Sequence, residues 1–413
     1  MPASKQPPSP KWIADAIAGP IDRRQFLKLL GTSTLAALLS GCRPGATPTV
    51  APTHTSRPIL APSPASTQTT APTATETELP PTETPASTST PAPRAVVAVG
   101  QASRYERSVL RPAMEQLLED IGGLADLVRP GARVGLKVNL TGGTWWDSPA
   151  KPPSNELFVT HPAVVAVLGE LLLDAGAGRL VIFDGLGDER NFDAWGYTEA
   201  ARPIAAGLVD LCQPDPYPDF VQLPVQPHPF VYESFTLNRA LAELDLLVSV
   251  AKMKVHSISG VTLALKNMIG IAPIRRYRRR EQDNHRSEFH ESTTYDRRLP
   301  RVVLDLCQAC PIGMAVIDGV LTAEGGAGPW DPGLSQVQPG LLVASKDPVA
   351  GDAVGAALMG FDPAAPDGSR PFEKCDNYLA LAEETGLGVY RLEEIGVAGA
   401  AIEDVKFPFK GVG

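Results

Sequence analysis
Between Arg43 and Arg94 the chain is almost wholly Pro, Thr, Ala and Ser, with very few large apolar residues. Such a stretch cannot bury enough apolar surface to offset the entropy lost on ordering, so its composition predicts a disordered, partly polyproline-II spacer. Any globular structure in the 413-residue chain must therefore come from Ala95 to Gly413. That length suits one large α/β body or two intimate lobes. The Ser/Thr/Pro mixture also resembles O-glycosylated stalks, on composition alone.

What precedes the spacer reads as an address. Arg23-Arg24-Gln25-Phe26-Leu27-Lys28 is a basic region, Leu29 to Leu39 an apolar run, and Leu39-Ser40-Gly41-Cys42 a small-residue processing site. The apolar run is too short for the roughly 20 residues that cross a bilayer, which makes it a signal segment rather than a permanent anchor. The Arg23-Arg24 pair resembles the twin-arginine export motif. Leu39 to Cys42 resembles the lipobox of bacterial lipoproteins, in which the cysteine is lipidated and becomes the mature N-terminus. The plainer reading is an amphipathic core helix with a chance arginine pair and a buried cysteine. The export reading assigns residues 1–42 to the signal and 43–94 to a spacer that holds 95–413 away from the membrane. It implies two partners, the twin-arginine machinery and the membrane itself, and places the domain on the extracytoplasmic face.

A net charge of −9 argues against a general nucleic-acid binder. Four cysteines remain beyond Cys42: Cys212, Cys307, Cys310 and Cys375. They could pair in an oxidising compartment, with partners that spacing does not assign. Cys307-Gln-Ala-Cys310 invites a redox or metal reading, but no second CxxC follows, so an iron–sulfur cluster lacks ligands. The competing reading is a packed helix end.

Within 95–413 the hydrophobic periodicity alternates between two patterns. Strands are predicted at 95–100, 133–138, 179–183, 246–250, 314–317 and 341–345, with shorter ones inside 221–235. Helices are predicted at 108–120, 161–175, 261–271, 301–310 and 348–359. The alternation points to an α/β fold with an open, largely parallel, mixed sheet and helices on both faces. In such sheets ligands bind beyond the carboxyl ends of the strands. Four predicted strands end in charged or polar groups: Lys137 and Asn139, Asp184, Lys252 with Lys254 and His256, and Asp318. Each alone has a bland explanation, such as a solvated strand end, turn chemistry at Asp184-Gly185 and Asp318-Gly319, or capping by His161 and Asp347. Four together suggest a site.

The stretch Lys252 to Gly270 carries three lysines and a histidine in otherwise apolar sequence, with Lys266-Asn267 inside a predicted helix. A lysine among apolar residues needs a partner or loses its charge. The partner is either an anion or the chain's own Asp184, Asp318 and Asp352. The run Arg275-Arg276-Tyr277-Arg278-Arg279-Arg280 reads first as a solvated loop, and second as a lid gathering an anion or touching anionic headgroups. His285, Glu288, His290 and Glu291 in the same loop could hold a metal, though no recognised spacing supports it.

Several ordered motifs resemble one family. They are Lys137-Val-Asn139, Thr160-His161-Pro162, Lys252-Met-Lys254-Val-His256, Thr262 with Lys266-Asn267 and Gly270, Asp318-Gly319, and Ser345-Lys-Asp347-Pro-Val-Ala-Gly-Asp352. Together they resemble the bacterial and archaeal family named domain of unknown function 362, over most of Val96 to Ala398. Members are often fused to a ferredoxin-like domain with two four-iron clusters, and the cysteine run for it is absent here. The resemblance implies that these positions form one site and names no reaction. Three functions compete. The first is an enzyme on an anionic small molecule, with Lys252, Lys254, His256 and His161 catalytic. Lys137, Asn139, Lys266, Asn267 and Asp184 would bind substrate, and Asp318 and Asp352 would hold a divalent cation or orient lysines. The second is a ligand-binding lipoprotein without chemistry. The third is a redox-associated protein whose cofactor is loaded before export.

Overall fold
The structure, a computed structural model, describes residues 92–141, 155–188 and 190–412. Arg23, Arg24, Cys42 and the spacer up to residue 91 lie outside the described residues. The described residues from 92 onward form one compact unit.

An eight-stranded sheet organises that unit. Its strands are β1 (Ala95–Gln101), β2 (Arg133–Lys137), β3 (Arg179–Asp184), β4 (Gly207–Asp210), β7 (Leu246–Lys252), β10 (Met314–Gly319), β13 (Leu341–Ser345) and β14 (Ile395–Gly399). The spatial order is β14-β1-β13-β10-β7-β2-β3-β4. All neighbours pair in parallel except β13, which runs antiparallel to both β1 and β10. Two-stranded ribbons flank it: β5 (Phe220–Pro224) with β6 (Ser234–Asn238), β8 (Lys254–His256) with β9 (Gly260–Thr262), and β11 (Thr322–Glu324) with β12 (Ser335–Val337).

The central strands are apolar at nearly every position because both faces are covered. Alternate residues feed two cores. Val134, Leu136, Val248, Val250 and Val316 face a layer containing α1 (Arg107–Asp120) and α2 (Pro162–Asp174). Val97, Phe183, Leu247, Ile317 and Val343 face one containing α4 (Arg298–Ala309), α5 (Pro348–Leu358) and α6 (Tyr378–Glu384). Helices thus lie on both faces of an open mixed sheet, as the alternation of patterns predicts.

One predicted element is replaced. The helix expected over 261–271 shrinks to α3 (Ala264–Asn267) followed by a 3-10 turn at Met268–Ile271. Gly260, at φ +76°, closes a hairpin, and β-branched Val261 and Thr262 pair with Val255 and Lys254. That register places Thr262, Lys254 and His256 on one face of the ribbon. Asp352 of α5 fixes where α3 begins: its carboxylate accepts the Ala264 N–H at 2.7 Å and the Leu265 N–H at 3.0 Å.

The four cysteines of the folded region are buried free thiols, not disulfides. Cys307 Sγ donates to Leu265 O in the packing of α4 on α3. Burial pushes the Cys310 thiol up to about 12, and both cysteines of this CxxC are buried at the end of α4.

Candidate functional site
Because β10, β7, β2, β3 and β4 are parallel, their carboxyl ends meet at one edge. Register then decides which side chains touch. Asp318 lies directly opposite Lys252 across β10 and β7. Lys137 lies opposite Ser249 on β7 and Phe183 on β3, one residue short of Asp184.

Two of the lysines are neutralised within the protein. The fully buried Lys252 ammonium sits 2.9 Å from Asp318 Oδ2 and 3.0 Å from the Tyr105 hydroxyl. Tyr105 donates to Asp318 Oδ1 at 2.9 Å, and the His161 N–H donates to Asp318 Oδ2 at 3.0 Å. Lys137, 1 % exposed, sits 2.9 Å from Asp184 Oδ1 and donates to Asn267 Oδ1 at 3.0 Å and Val138 O at 2.6 Å. The Asn267 amide donates back to Lys137 O and to Ser249 Oγ. Asp184 also accepts the N–H groups of Leu140 and Gly185. The Lys137 ammonium has three acceptors and that of Lys252 two, one a carboxylate in each case, which is what lets a charge of this kind be buried.

The other two lysines are not neutralised. Lys254, 3 % exposed, donates among the described residues only to the carbonyls of Phe158 (3.2 Å) and Ala327 (2.8 Å). Lys266 has neither a hydrogen-bond acceptor nor a carboxylate at ion-pair distance among the described residues. Burial, then repulsion from Arg286 and Lys137, holds Lys266 down at about 8. Burial likewise lowers Lys254 strongly, and the charges of Lys266 and Lys252 lower it further. His256 is depressed by burial and by the same two cations, Lys266 and Lys254, so these three groups share one field. Two further buried polar atoms lack partners among the described residues: the Asn139 side-chain nitrogen at the end of β2, and Thr262 Oγ1 opposite Lys254.

Both histidines are neutral with their roles set by tautomer. His161 caps α2: its Nδ1 accepts the Ala163 N–H at 3.1 Å, and its ring stacks on Tyr105 with centroids 3.6 Å apart. Burial holds it at about 4. His256 Nδ1 accepts from the Ile258 and Ser259 N–H groups at 3.1 and 3.2 Å. Each imidazole therefore keeps its proton on Nε2 and presents a donor there, not a base.

Arg286 is the site residue that sequence reasoning passed over. It belongs to the arginine-rich loop that reads as solvated, yet it is half-buried. It donates to Ala272 O at 2.6 Å and to Gly185 O and Gly270 O at 3.1 Å. The two glycines make room for it. A Cβ on Gly185 would overlap Arg286, and one on Gly270 would overlap Asp184 and approach Lys137 Nζ at 2.6 Å. The metal-ligand possibilities take other forms. Asp318 is engaged by Lys252, Tyr105 and His161, and Asp352 accepts two N–H groups at the start of α3. In the loop, His290 pairs with Asp296, Glu288 accepts from Tyr232, and Glu291 accepts the Arg297 N–H. Among the described residues no three His, Cys, Asp or Glu side chains are arranged to hold a metal.

A sequence model described as Domain of unknown function (DUF362) matches residues 134–357, more than half of the chain. Every residue of the two lysine clusters except Tyr105 falls inside that span. The chain is 27% identical over 274 residues to a thylakoid-associated protein of Synechocystis sp., covering 65% of this chain and 75% of that protein. Among solved structures it is similar to the lactate racemase apoprotein from Thermoanaerobacterium thermosaccharolyticum. That match has a TM-score of 0.37 and 11% identity, over 64% of this chain and 57% of the other. A protein from Thermotoga maritima matches with a TM-score of 0.31 and 11% identity, over 60% and 57% of the two chains. The chain thus spans less than two thirds of either solved structure.

Proposed function
The chain belongs to the family of domain of unknown function DUF362, and from that premise we propose that it is an exported, lipid-anchored enzyme acting on an anionic small molecule. One observation carries the anion: among the described residues the buried Lys254 and the partly exposed Lys266 have no carboxylate at ion-pair distance, although Lys252 and Lys137 are each paired. A buried cation left unpaired is costly, and an anion bound there removes the cost. Asn139, Thr262 and the Nε2–H of His256 supply further donors for its oxygens. Lys252 and Lys137, being neutralised, act as fixed scaffolding. The chemistry falls to the amine of Lys266, which burial leaves partly uncharged near neutral pH, and not to either imidazole.

Calorimetric titration of the mature protein with phosphate, pyruvate and citrate tests this reading. Saturable binding of at least one anion, weakened about tenfold or more in Lys254→Met and Lys266→Met, is expected for the loss of a buried charge-assisted contact. Equal binding by the variants, or none by the native protein, would overturn it. Capture without turnover is the second reading, favoured because both imidazole Nδ1 atoms are already occupied. Native mass spectrometry of the purified protein separates the two: a single retained ligand supports capture, and a substrate–product pair supports the enzyme.

The address is part of the same proposal. The twin-arginine pair, the lipobox at Cys42 and the spacer occur in the order that export and anchoring require. A thylakoid-associated relative agrees with a membrane setting, while no helix among the described residues is long and apolar enough to cross one. Replacing Arg23 and Arg24 by lysine should retain precursor in the cytoplasm, and Cys42→Ser should release the domain from the membrane fraction. Normal export and anchoring of these variants would sink the assignment.

A further inference from the structure
We infer that Lys266 is a nucleophile that forms an imine with an anion carrying an aldehyde or ketone group, a 2-oxo acid being the simplest class. The inference rests on the anion-binding reading above. Three features of geometry support it. First, a nucleophilic amine needs a lone pair not tied up in donor bonds. Lys137, Lys252 and Lys254 each hold their nitrogens against acceptors at 2.6 to 3.2 Å, whereas Lys266 has no such partner among the described residues. Second, the base of the side chain is immobilised. Asp352 pins the start of α3, and Asn267 is clamped by Lys137 and Ser249. The residue keeps partial access to solvent. Third, the charged groups that bear on it are the cations Arg286 and Lys137. These favour a carboxylate beside the amine and oppose a proton on it. The lowered proton affinity of Lys266 agrees with this arrangement.

The step balances without any oxidant or reductant. The Nζ lone pair attacks the carbonyl carbon as the C=O π pair moves to oxygen. A proton passes from nitrogen to that oxygen, giving a carbinolamine. A proton from solvent then lets the hydroxyl leave as water while the nitrogen lone pair forms the C=N bond of an iminium, and hydrolysis reverses the sequence. The iminium then withdraws electrons from a bond on the adjacent carbon.

The test uses the mature full-length protein with pyruvate and with glyoxylate at pH 8, followed by borohydride reduction and peptide mapping by mass spectrometry. The expected result is an adduct on Lys266 exceeding the mean of the other lysines by about tenfold or more, as for other activated amines. It should be lost in Lys266→Met and Lys266→Arg variants of native circular dichroism. If calorimetry shows either oxo acid bound while Lys266 stays unmodified, the imine is refuted and the anion site stands. If neither binding nor adduct is seen, the inference and the reading beneath it both fail. Labelling spread evenly over the lysines also refutes it.

Discussion
Replacing Lys266 by methionine should stabilise the folded domain at neutral pH. Burial and neighbouring cations bring this lysine from its usual 10.5 to about 8. At about 1.36 kcal/mol per pH unit, that depression is a folding cost of at most about 3 kcal/mol below pH 8. The sign follows from proton counting. Between pH 8 and 10.5 the unfolded chain holds the proton and the folded chain has released it, so stability rises with pH through that window. The cost is complete below 8 and gone above 10.5. Methionine keeps the unbranched stem and removes the charge, so the variant escapes the cost. Urea titrations of both proteins at pH 7 and at pH 10.5 would measure it. The variant should be more stable by about 1–3 kcal/mol at pH 7, the lower end reflecting partial solvent access, and the difference should shrink toward the packing contribution at pH 10.5. Other groups titrating in this range cancel in the comparison if they are independent of Lys266. A variant less stable at pH 7, or a difference that does not change with pH, would refute the claim that the ammonium is unpaired.

Asp318→Asn should cost about 3–5 kcal/mol in denaturant midpoint analysis, because it strands the Lys252 ammonium in the core; a cost under about 1 kcal/mol would show that the pair is not structural. Gly270→Ala should lose about 1–3 kcal/mol or more by driving a methyl group into Asp184 and Lys137, and a neutral effect on thermal midpoint would contradict that packing. His161, held at about 4 instead of 6.5, makes the unfolded chain the better proton acceptor between those values. Stability should therefore decline as pH falls from 6.5 to 4, by at most about 3 kcal/mol from this group. His161→Gln should flatten that slope, and an unchanged slope would remove His161 as its source.

The sheet was legible because strands buried on both faces must be apolar throughout, and Leu246 to Val250 or Met314 to Ile317 has few other uses. Helices 107–120 and 162–174 announced themselves by period and, for the second, by Pro162 at its first position. The antiparallel placement of β13 was not legible, since Leu341 to Ser345 is as apolar as its parallel neighbours and direction leaves no mark on composition. The stretch 260–271 misled for a related reason. Its apolar residues satisfy a helical period, but Gly260 with two β-branched residues after it favours the hairpin turn, and tertiary pairing with Lys254 to His256 settles the contest.

For the site, strand-end reasoning located the edge but not the partition among its lysines. Lys252 and Lys254 are two residues apart and look equivalent in sequence. One is neutralised because β10 lies beside β7 and brings Asp318 into register with Lys252. The other continues into a ribbon where Thr262 is its neighbour. Lys137 finds Asp184 only because β3 is the next strand over. Pairing is thus a property of strand order, which a single sequence does not reveal. The same holds for Arg286, whose charged loop resembles solvated surface until it folds back to Gly185 and Gly270. A buried lysine paired by register is accounted for by the fold. Lys254 and Lys266 have no such carboxylate among the described residues, and that is the partner the proposed anion would supply.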